Sequence, residues 1–448
     1  MTVQFDQVLR EYEIFQPPPE VRRRALWARR LTARAAAVAS VASSARRLAW
    51  PSAPGAWRPA VAGVEAWAFT PVEREVLAPV AEASAGRIEL IDAADPLGLW
   101  PRRDFARARV RAGAGLLTRL FGPRRHVIAD WGAETRDAIS ALAEVELHRR
   151  RLRQRPAAVI VANHYSPRQA ALLTAARDAG VRTLYVQHAA VGGIEGPLST
   201  DVSLLHGWDA VRKYLAQGEP AGEVVVLGSV KVEEARRCAP GASTSVGLAP
   251  GLFSQPEALE RLARALCASG GPGVLELRPH PADRRVSAWR AVAERIGARY
   301  CDSRSVPTAE FLARQSRLFG GDSNIILESL ALGIPASLID EAAAGLDQYG
   351  MVRAGLAVPP GGERSSAAAV RLRRYVHPAP AGGAAAVAAA IALDPQALDS
   401  GRLPLRRRRV CGDISVWAPW DRVGLPPSPL LEAPPQSGST REQACPID

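Results

Sequence analysis

The sequence predicts an α/β protein made of two Rossmann-like, doubly wound domains in series that face a central cleft. Three observations predict it. Apolar runs of strand length alternate with helical stretches from about residue 62 onward. The alternation breaks near 237–244 and then starts again. A chain of 448 residues also has the length for two hydrophobic cores.

The elements follow in order. "GVEAWAFT" and "RIELID" read as strands flanking a helix over 71–84. A long arginine-rich helical region runs to about 155. "AAVIVANH" is the next strand, followed by a helix over 167–179 and the strand "RTLYVQH". "DVSLLHG" and "EVVVLGS" complete the first unit, and the pattern restarts after "VEEARRCAPGAST", with 237–244 as the expected linker. The second unit starts with the strand "SVGLAPG", a helix over 256–268 and the strand "GVLELRPH". It continues with a helix over 284–297, "ARYCD", a helix over 307–315, "RLFGG", a helix over 324–332 and "PASLID". An alanine-rich helix fills 383–393. The expected domains are a basic helical arm over 1–60, a first Rossmann-like domain over 61–240, a second over 241–395, and a tail over 396–448. The Pro/Ser-rich end of that tail, from about 425, has a disordered composition.

Composition narrows the function classes. The net charge is +12, yet 55 of the 57 basic residues are arginine and only Lys213 and Lys231 are lysine. With so much alanine, this is the habit of a GC-rich coding sequence rather than a nucleic-acid footprint. No zinc-finger spacing or RNA-binding aromatic signature accompanies it, so no nucleic-acid partner is expected. The five cysteines are scattered without a CxxC pair, which supports neither a disulfide framework nor a structural zinc site. No uninterrupted apolar run has transmembrane length, and "MTVQFDQVLREYEIF" lacks the basic head and apolar run of a secretory signal. The expected location is the cytoplasm, or peripherally the inner face of the cytoplasmic membrane.

Residues 21–50 carry eight arginines and no acid, with Trp27, Leu31, Ala35, Val38, Ala42, Ala45 and Ala49 in a weak helical stripe. Two readings stand: a solvated helix packed on the first domain, or a basic helix drawn to an anionic membrane surface.

In open parallel sheets, ligands bind beyond the carboxyl ends of the strands. Those ends are polar here. After "VLEL" come Arg278 and His280, each followed by proline. After "RLF" come Gly320, Gly321, Asp322, Ser323 and Asn324, and Glu328 follows on the next helix. The glycines let a ligand approach the backbone, and Asp322, Ser323 or Asn324 would cap the helix. Arg278 and His280 offer donors to phosphate, and Glu328 offers a carboxylate to ribose hydroxyls. Read singly, the first stretch is a strand exit and the second simple capping; read together they make a nucleotide site. On the first domain, strand ends supply His164 after "AAVIVA" and His188 after "TLYVQ", with Glu195 and Asp201 in or after the loop behind. His188 is the first candidate for a base, His164 the second, and Glu195 a carboxylate alternative.

"LRPHP" followed by "FGGDSNIILESLALGIPA" resembles the C-terminal half of GT-B glycosyltransferases of the bacterial surface-polysaccharide type. These are the polysialyltransferases, capsule Kdo transferases and CDP-glycerol glycerophosphotransferases. Ser323, Glu328, Gly333 and Pro335 meet their S-x4-E-x4-G-x-P spacing. "GVRTLYVQHAAVGG" is similar to their Q-H-G strand and loop, with Ala189 in place of the usual glycine. The resemblance spans about 157–340. It implies a GT-B-like fold and transfer of a sugar or polyol phosphate from a CMP-, CDP- or UDP-linked donor to a glycan or lipid-linked glycan. It also implies that phosphates are held by Arg278, His280 and the Ser323 region, with no bound metal and no cofactor. "GDSN…E" is similar as well to the GDSG…E stretch of UDP-N-acetylglucosamine 2-epimerases, a competing catalytic reading. A non-catalytic nucleotide- or glycan-binding GT-B module is the third.

Overall fold

The computed structural model describes residues 37–45, 63–95, 99–120, 135–193, 195–238, 245–252, 254–268, 274–339, 347–362, 367–411 and 413–419. The first unit comprises β1 (Val64–Ala68), α1 (Pro71–Ala83), β2 (Ile88–Asp92), α2 (Arg102–Leu120), α3 (Thr135–Arg151), β3 (Ala158–Val161), α4 (Pro167–Ala179), β4 (Arg182–Val186), β5 (Val202–Leu205), α5 (Trp208–Leu215), β6 (Glu223–Val226) and α6 (Val230–Cys238). The second comprises β7 (Ser245–Ala249), α7 (Pro256–Ala268), β8 (Val274–Leu277), α8 (Val286–Ile296), β9 (Arg299–Tyr300), α9 (Thr308–Ala313), β10 (Gln315–Gly320), α10 (Ile325–Ala331) and β11 (Ala336–Leu338). Then come α11 (Ala368–Tyr375), α12 (Ala384–Leu393), β12 (Arg406–Cys411) and β13 (Ile414–Ala418).

The strands form two sheets. The first has the order β12–β13–β6–β5–β4–β3–β1–β2, parallel throughout except where β12 runs antiparallel to β13. The second, β11–β10–β7–β8–β9, is wholly parallel. Strands such as β1 and β3 are buried along their whole length, as expected where helices cover both faces. The order reverses between β1 and β3 in one sheet and between β7 and β10 in the other. Those two switch points are where loops diverge and leave a crevice. The two-domain, doubly wound GT-B-like architecture is therefore present.

The division between domains differs from the expected one. Helix α6 runs up to Cys238 with Val230, Val232 and Ala235 buried, and most of the expected linker, 239–244, lies outside the described residues. After α11 the chain returns to the first domain. The His377 N–H donates to the His206 carbonyl at 2.8 Å, and α12 packs with Val76, Leu77 and Val80 of α1 in one core. An all-apolar helix needs cover on every side, and the first domain supplies it. The segment 406–418, expected in the tail, adds β12 and β13 to the edge of the first sheet. Trp417 anchors it, donating Nε1–H to Glu223 at 3.0 Å. Four consecutive arginines on the outer strand discourage further strand addition.

Of the arginine-rich arm, only 37–45 lies within the described residues; it is helical and packs on α2. Arg109 donates to Ser40 Oγ at 2.7 Å, and a Cβ on Gly113 would clash with the Val41 side chain. The buried line is Ala37, Ser40 and Ser44, while Val38 of the expected stripe is exposed. The rest of the arm and the end beyond 419 lie outside the described residues. Among the described residues, no helix is long and apolar enough to cross a membrane.

Beneath β1 lies a buried ion pair. Arg151 at the end of α3 reaches Glu65 at 2.7 Å, and Glu65 also accepts from Trp67 Nε1 at 3.0 Å. Removing one buried partner strands the other charge. Arg151→Met is therefore expected to lower stability by about 3–5 kcal/mol. The double change Glu65→Leu with Arg151→Met should recover most of that loss in urea unfolding, and a recovery of nothing would refute the pairing.

Candidate active site

A cavity of about 840 Å³ opens between the two sheets. Its walls come from both switch points: Phe69–Glu73 after β1 and Tyr165–Gln169 after β3, facing Ala249 and Pro250 after β7 and Ser323–Ile325 after β10. The loops after β4 and β8 add His188 and His280. The β3 exit is fixed by Asn163, whose Oδ1 accepts the N–H groups of Tyr165 and Ser166 at 2.9 and 3.1 Å.

Seven of the residues expected from sequence line this cavity: His188, Glu195, Arg278, His280, Ser323, Asn324 and Glu328. Their engagement differs. Nδ1 of His188 faces the Ala162 carbonyl. That contact requires the proton on Nδ1 and leaves the Nε2 lone pair basic. Burial lowers its pKa to about 4, with Lys231 adding to the effect against the Ala162 bond, so the ring is neutral at ordinary pH. His280 is the complement. Its Nδ1 accepts the Ala282 N–H at 3.2 Å, which puts the proton on Nε2 as a donor. Burial lowers its pKa too, with Asp283 opposing and Lys231 and Arg278 assisting.

Four expectations change. His164 is not at the cavity. It is buried beneath the loop against Tyr165, Tyr185 and Tyr214, with Nε2 at 3.1 Å from the Tyr214 hydroxyl, and burial holds its pKa near 3. It is a core histidine. Glu195 is committed to its own loop, accepting from Gly192 N–H at 2.5 Å and Gly193 N–H at 2.8 Å. Arg278 spends its terminal nitrogens on the loop before α9, donating to the Val306 carbonyl at 2.7 Å and the Ser303 carbonyl at 3.4 Å. It braces the wall rather than presenting a fork to the cavity. Gly321 is required by packing: a Cβ there would lie 2.5 Å from Gly251 N. The Gly251 backbone thus occupies the approach expected for a ligand.

The helix start is also built differently. The Asn324 side chain makes no cap bond to α10. Its Oδ1 instead accepts the Ala190 N–H of the first domain at 2.9 Å, and its Nδ2 donates to Glu328. Asp322 does not line the cavity; it accepts the N–H of Gln348, a wall residue, at 2.7 Å. These polar groups fasten loops and domains to one another.

Sequence reasoning missed the cation at the centre. Lys231 of α6 is buried between Glu328 at 2.8 Å and Glu75 of α1 at 3.3 Å. Burial pulls its pKa down, but the two carboxylates outweigh that and leave it raised. Glu75 in turn accepts the Thr308 N–H of α9 at 3.1 Å. Lys213 makes a second crossing: it donates to Val191 O and to Tyr349 O of the second domain, each at 2.8 Å, and pairs with Asp209. Both lysines of an arginine-rich chain thus bridge the domains. Their rarity was the available signal.

Glu73 was missed as well. It is the third helical residue after Thr70, whose Oγ1 accepts the Glu73 N–H at 3.2 Å. Its own carboxyl accepts from Phe69 N–H at 2.8 Å and Gln169 Nε2 at 2.7 Å. Burial, outweighing these bonds, raises its pKa to about 7. A carboxyl at the cavity wall that is half-protonated near neutrality can exchange a proton at little cost.

No protein-family model matches the chain, and no curated protein matches it in sequence. Among solved structures, it is similar to a Listeria monocytogenes protein described as a UDP-N-acetylglucosamine 2-epimerase. There the identity is 13%, the TM-score 0.46, and the match covers 74% of this chain and 95% of that one. Staphylococcus aureus MnaA, solved with UDP, gives 13% identity and a TM-score of 0.45, covering 73% and 95%. The glycosyltransferase SnogD from Streptomyces nogalater gives 15% and 0.35, covering 75% and 95%. Likenesses this distant carry neither activity nor ligand over to this chain.

The Glu73 environment makes a pH prediction. A folded-state pKa near 7, against an ordinary 4.5, means that folding favours the protonated acid. The resulting stability is full below about pH 4.5 and is lost as pH rises through 7. Relative to Glu73→Gln, the native protein should therefore lose Tm steadily between pH 5 and 8. Parallel melting curves across that range would show that Glu73 remains ionised throughout.

Proposed function

We propose that this protein is a GT-B glycosyltransferase that moves a sugar, or a polyol phosphate, from a CMP-, CDP- or UDP-linked donor to a surface-polysaccharide or lipid-linked acceptor. The observation that carries the reading is the coincidence of one cavity with both topological switch points. It sets two neutral histidines of opposite polarity in one space. His280 offers an N–H to the donor's phosphates, while His188 offers a lone pair to the acceptor hydroxyl from the other domain.

The division of labour follows. Glu328 meets the nucleoside end, accepting from the ribose hydroxyls, and Ser323 joins His280 at the phosphates. His188 takes the acceptor proton as the hydroxyl oxygen attacks the anomeric carbon, or the phosphorus if a polyol phosphate is transferred. The bond to the nucleotide phosphate breaks, and the departing anion is stabilised by the second-domain donors.

Thermal melting with CMP, CDP, UDP, GDP and dTDP tests the nucleotide site, since a ligand that binds only the native state raises Tm. Product analysis with radiolabelled donor then tests the reaction. An enlarged acceptor supports transfer. Release of a free hexosamine would instead mark an epimerase, and binding without turnover a recognition module.

His188→Gln is expected to lower kcat by about 10²–10⁴-fold while leaving the nucleotide-induced rise in Tm unchanged. Because burial holds the His188 pKa near 4, kcat/KM should stay level on the acid side until about pH 5 and fall only below it. An acid limb near 6.5, or an unimpaired variant, would remove His188 from the mechanism.

A further inference from the structure

Four cationic side chains border the cavity: Arg168, Lys231, Arg278 and Arg304. The three arginines are anchored to fixed parts of the fold. Arg168 is held by Glu144 at 2.9 and 3.1 Å. Arg278 is held by the carbonyls of Val306 and Ser303. Arg304 donates to the carbonyls of Pro281 and Asp283, each at 3.3 Å. Lys231 alone is held by carboxylates from both domains, and Glu328 is one that ligand hydroxyls can claim.

We infer that Lys231 is an exchangeable counter-ion: in the empty cleft it neutralises Glu75 and Glu328, and on binding it passes to a pyrophosphate-like anion of the ligand. The chemical class of that anion rests on the nucleotide reading above; the capacity to exchange rests on the ion pairs themselves.

The exchange leaves no carboxylate bare. When Lys231 departs, Glu75 keeps the Thr308 N–H, and Glu328 keeps the Asn324 amide and gains ligand hydroxyls. A lysine suits the task. Its compact ammonium on a four-carbon stem can move between acceptors, whereas the planar fork of arginine would lock onto a carboxylate in two-point contact. The side chain also stands between the cavity and a neighbouring groove of about 690 Å³, and both have Lys231 and Glu328 in their walls. Moving the ammonium out of the bridge therefore loosens a link between α6, α1 and α10. Ligand binding and the relative setting of the domains become coupled through one side chain.

Because the chain has two lysines, the test can be made on the native, full-length protein labelled with ¹³C at lysine Cε. Lys231→Arg assigns the two side-chain resonances. Inorganic pyrophosphate is expected to shift the Lys231 signal saturably while the Lys213 signal stays in place. Lys231→Met should lower pyrophosphate affinity at least tenfold in calorimetry. An unmoved Lys231 signal, no response to pyrophosphate, or full affinity in a folded Lys231→Met would each overturn the inference. A second titration with CMP, CDP and UDP separates it from the functional reading. Pyrophosphate moving Lys231 while no nucleotide binds would uphold the exchange and refute the nucleotide site. Nucleotides that raise Tm without moving Lys231 would do the reverse.

Discussion

The structure turns on a buried polar bridge between its domains, in which one ammonium sits between two carboxylates. Lys231, Glu75 and Glu328 are all largely removed from water. Dehydrating three charges costs several kcal/mol each, and their mutual attraction repays this only with good geometry and further hydrogen bonds. Thr308 supplies such bonds to Glu75, and Asn324 supplies one to Glu328. The bridge is therefore better understood as a means of fixing position than as a source of stability. An apolar seam would hold two domains together in many registers, whereas a charge flanked by two partners accepts one. That register brings the switch point of one sheet opposite the switch point of the other.

The cavity inherits this economy. Most polar groups around it already serve the protein: Glu195 closes its loop, Asn163 shapes the β3 exit, and Arg278 braces the segment before α9. A preorganised wall of this kind spends no reorganisation when a ligand arrives. It also narrows the chemistry, because a group with its hydrogen bonds satisfied has little to offer a substrate. Among the groups that stay available are the Nε2 lone pair of His188, the Nε2–H of His280, the Glu73 carboxyl and the bridge itself.

Much of the fold was legible because local and tertiary demands agreed. Helices α4 and α7 occupy 167–179 and 256–268, the spans read from sequence, since apolar spacing, a proline at the first turn and burial point the same way. Where they disagreed, the sequence misled. "RRRRV" is expected within the tail, yet it forms β12, because the outer edge of a sheet tolerates charge on both faces. The helix over 384–393 has no polar face to orient it, so nothing local says which domain it covers. The site divides in the same way. That strand ends carry the polar residues follows from topology and was readable. His188 ranks ahead of His164 on sequence grounds, but that His164 is shut away from the cavity was not readable, because Tyr185 and Tyr214 enclose it from segments distant in sequence. Nor could the sequence say that Arg278 turns toward Val306, 28 residues away.

The arginine excess then takes on a structural meaning. An arginine holds its charge at any working pH and reads two acceptors at once, so it makes a durable staple. Arg285 shows the pattern: it joins Asp283 to the carbonyls of Ser254 and Leu252, and Arg314 similarly ties Glu276 to Glu310. In such a chain, fixed cations are common and uninformative about function. Groups that change partner or protonation state must be of another kind, and at this cleft they are histidine, lysine and a buried glutamic acid. The composition that obscures the electrostatics of the whole protein therefore sharpens them locally, because a lysine here stands where an arginine would have been too firmly held.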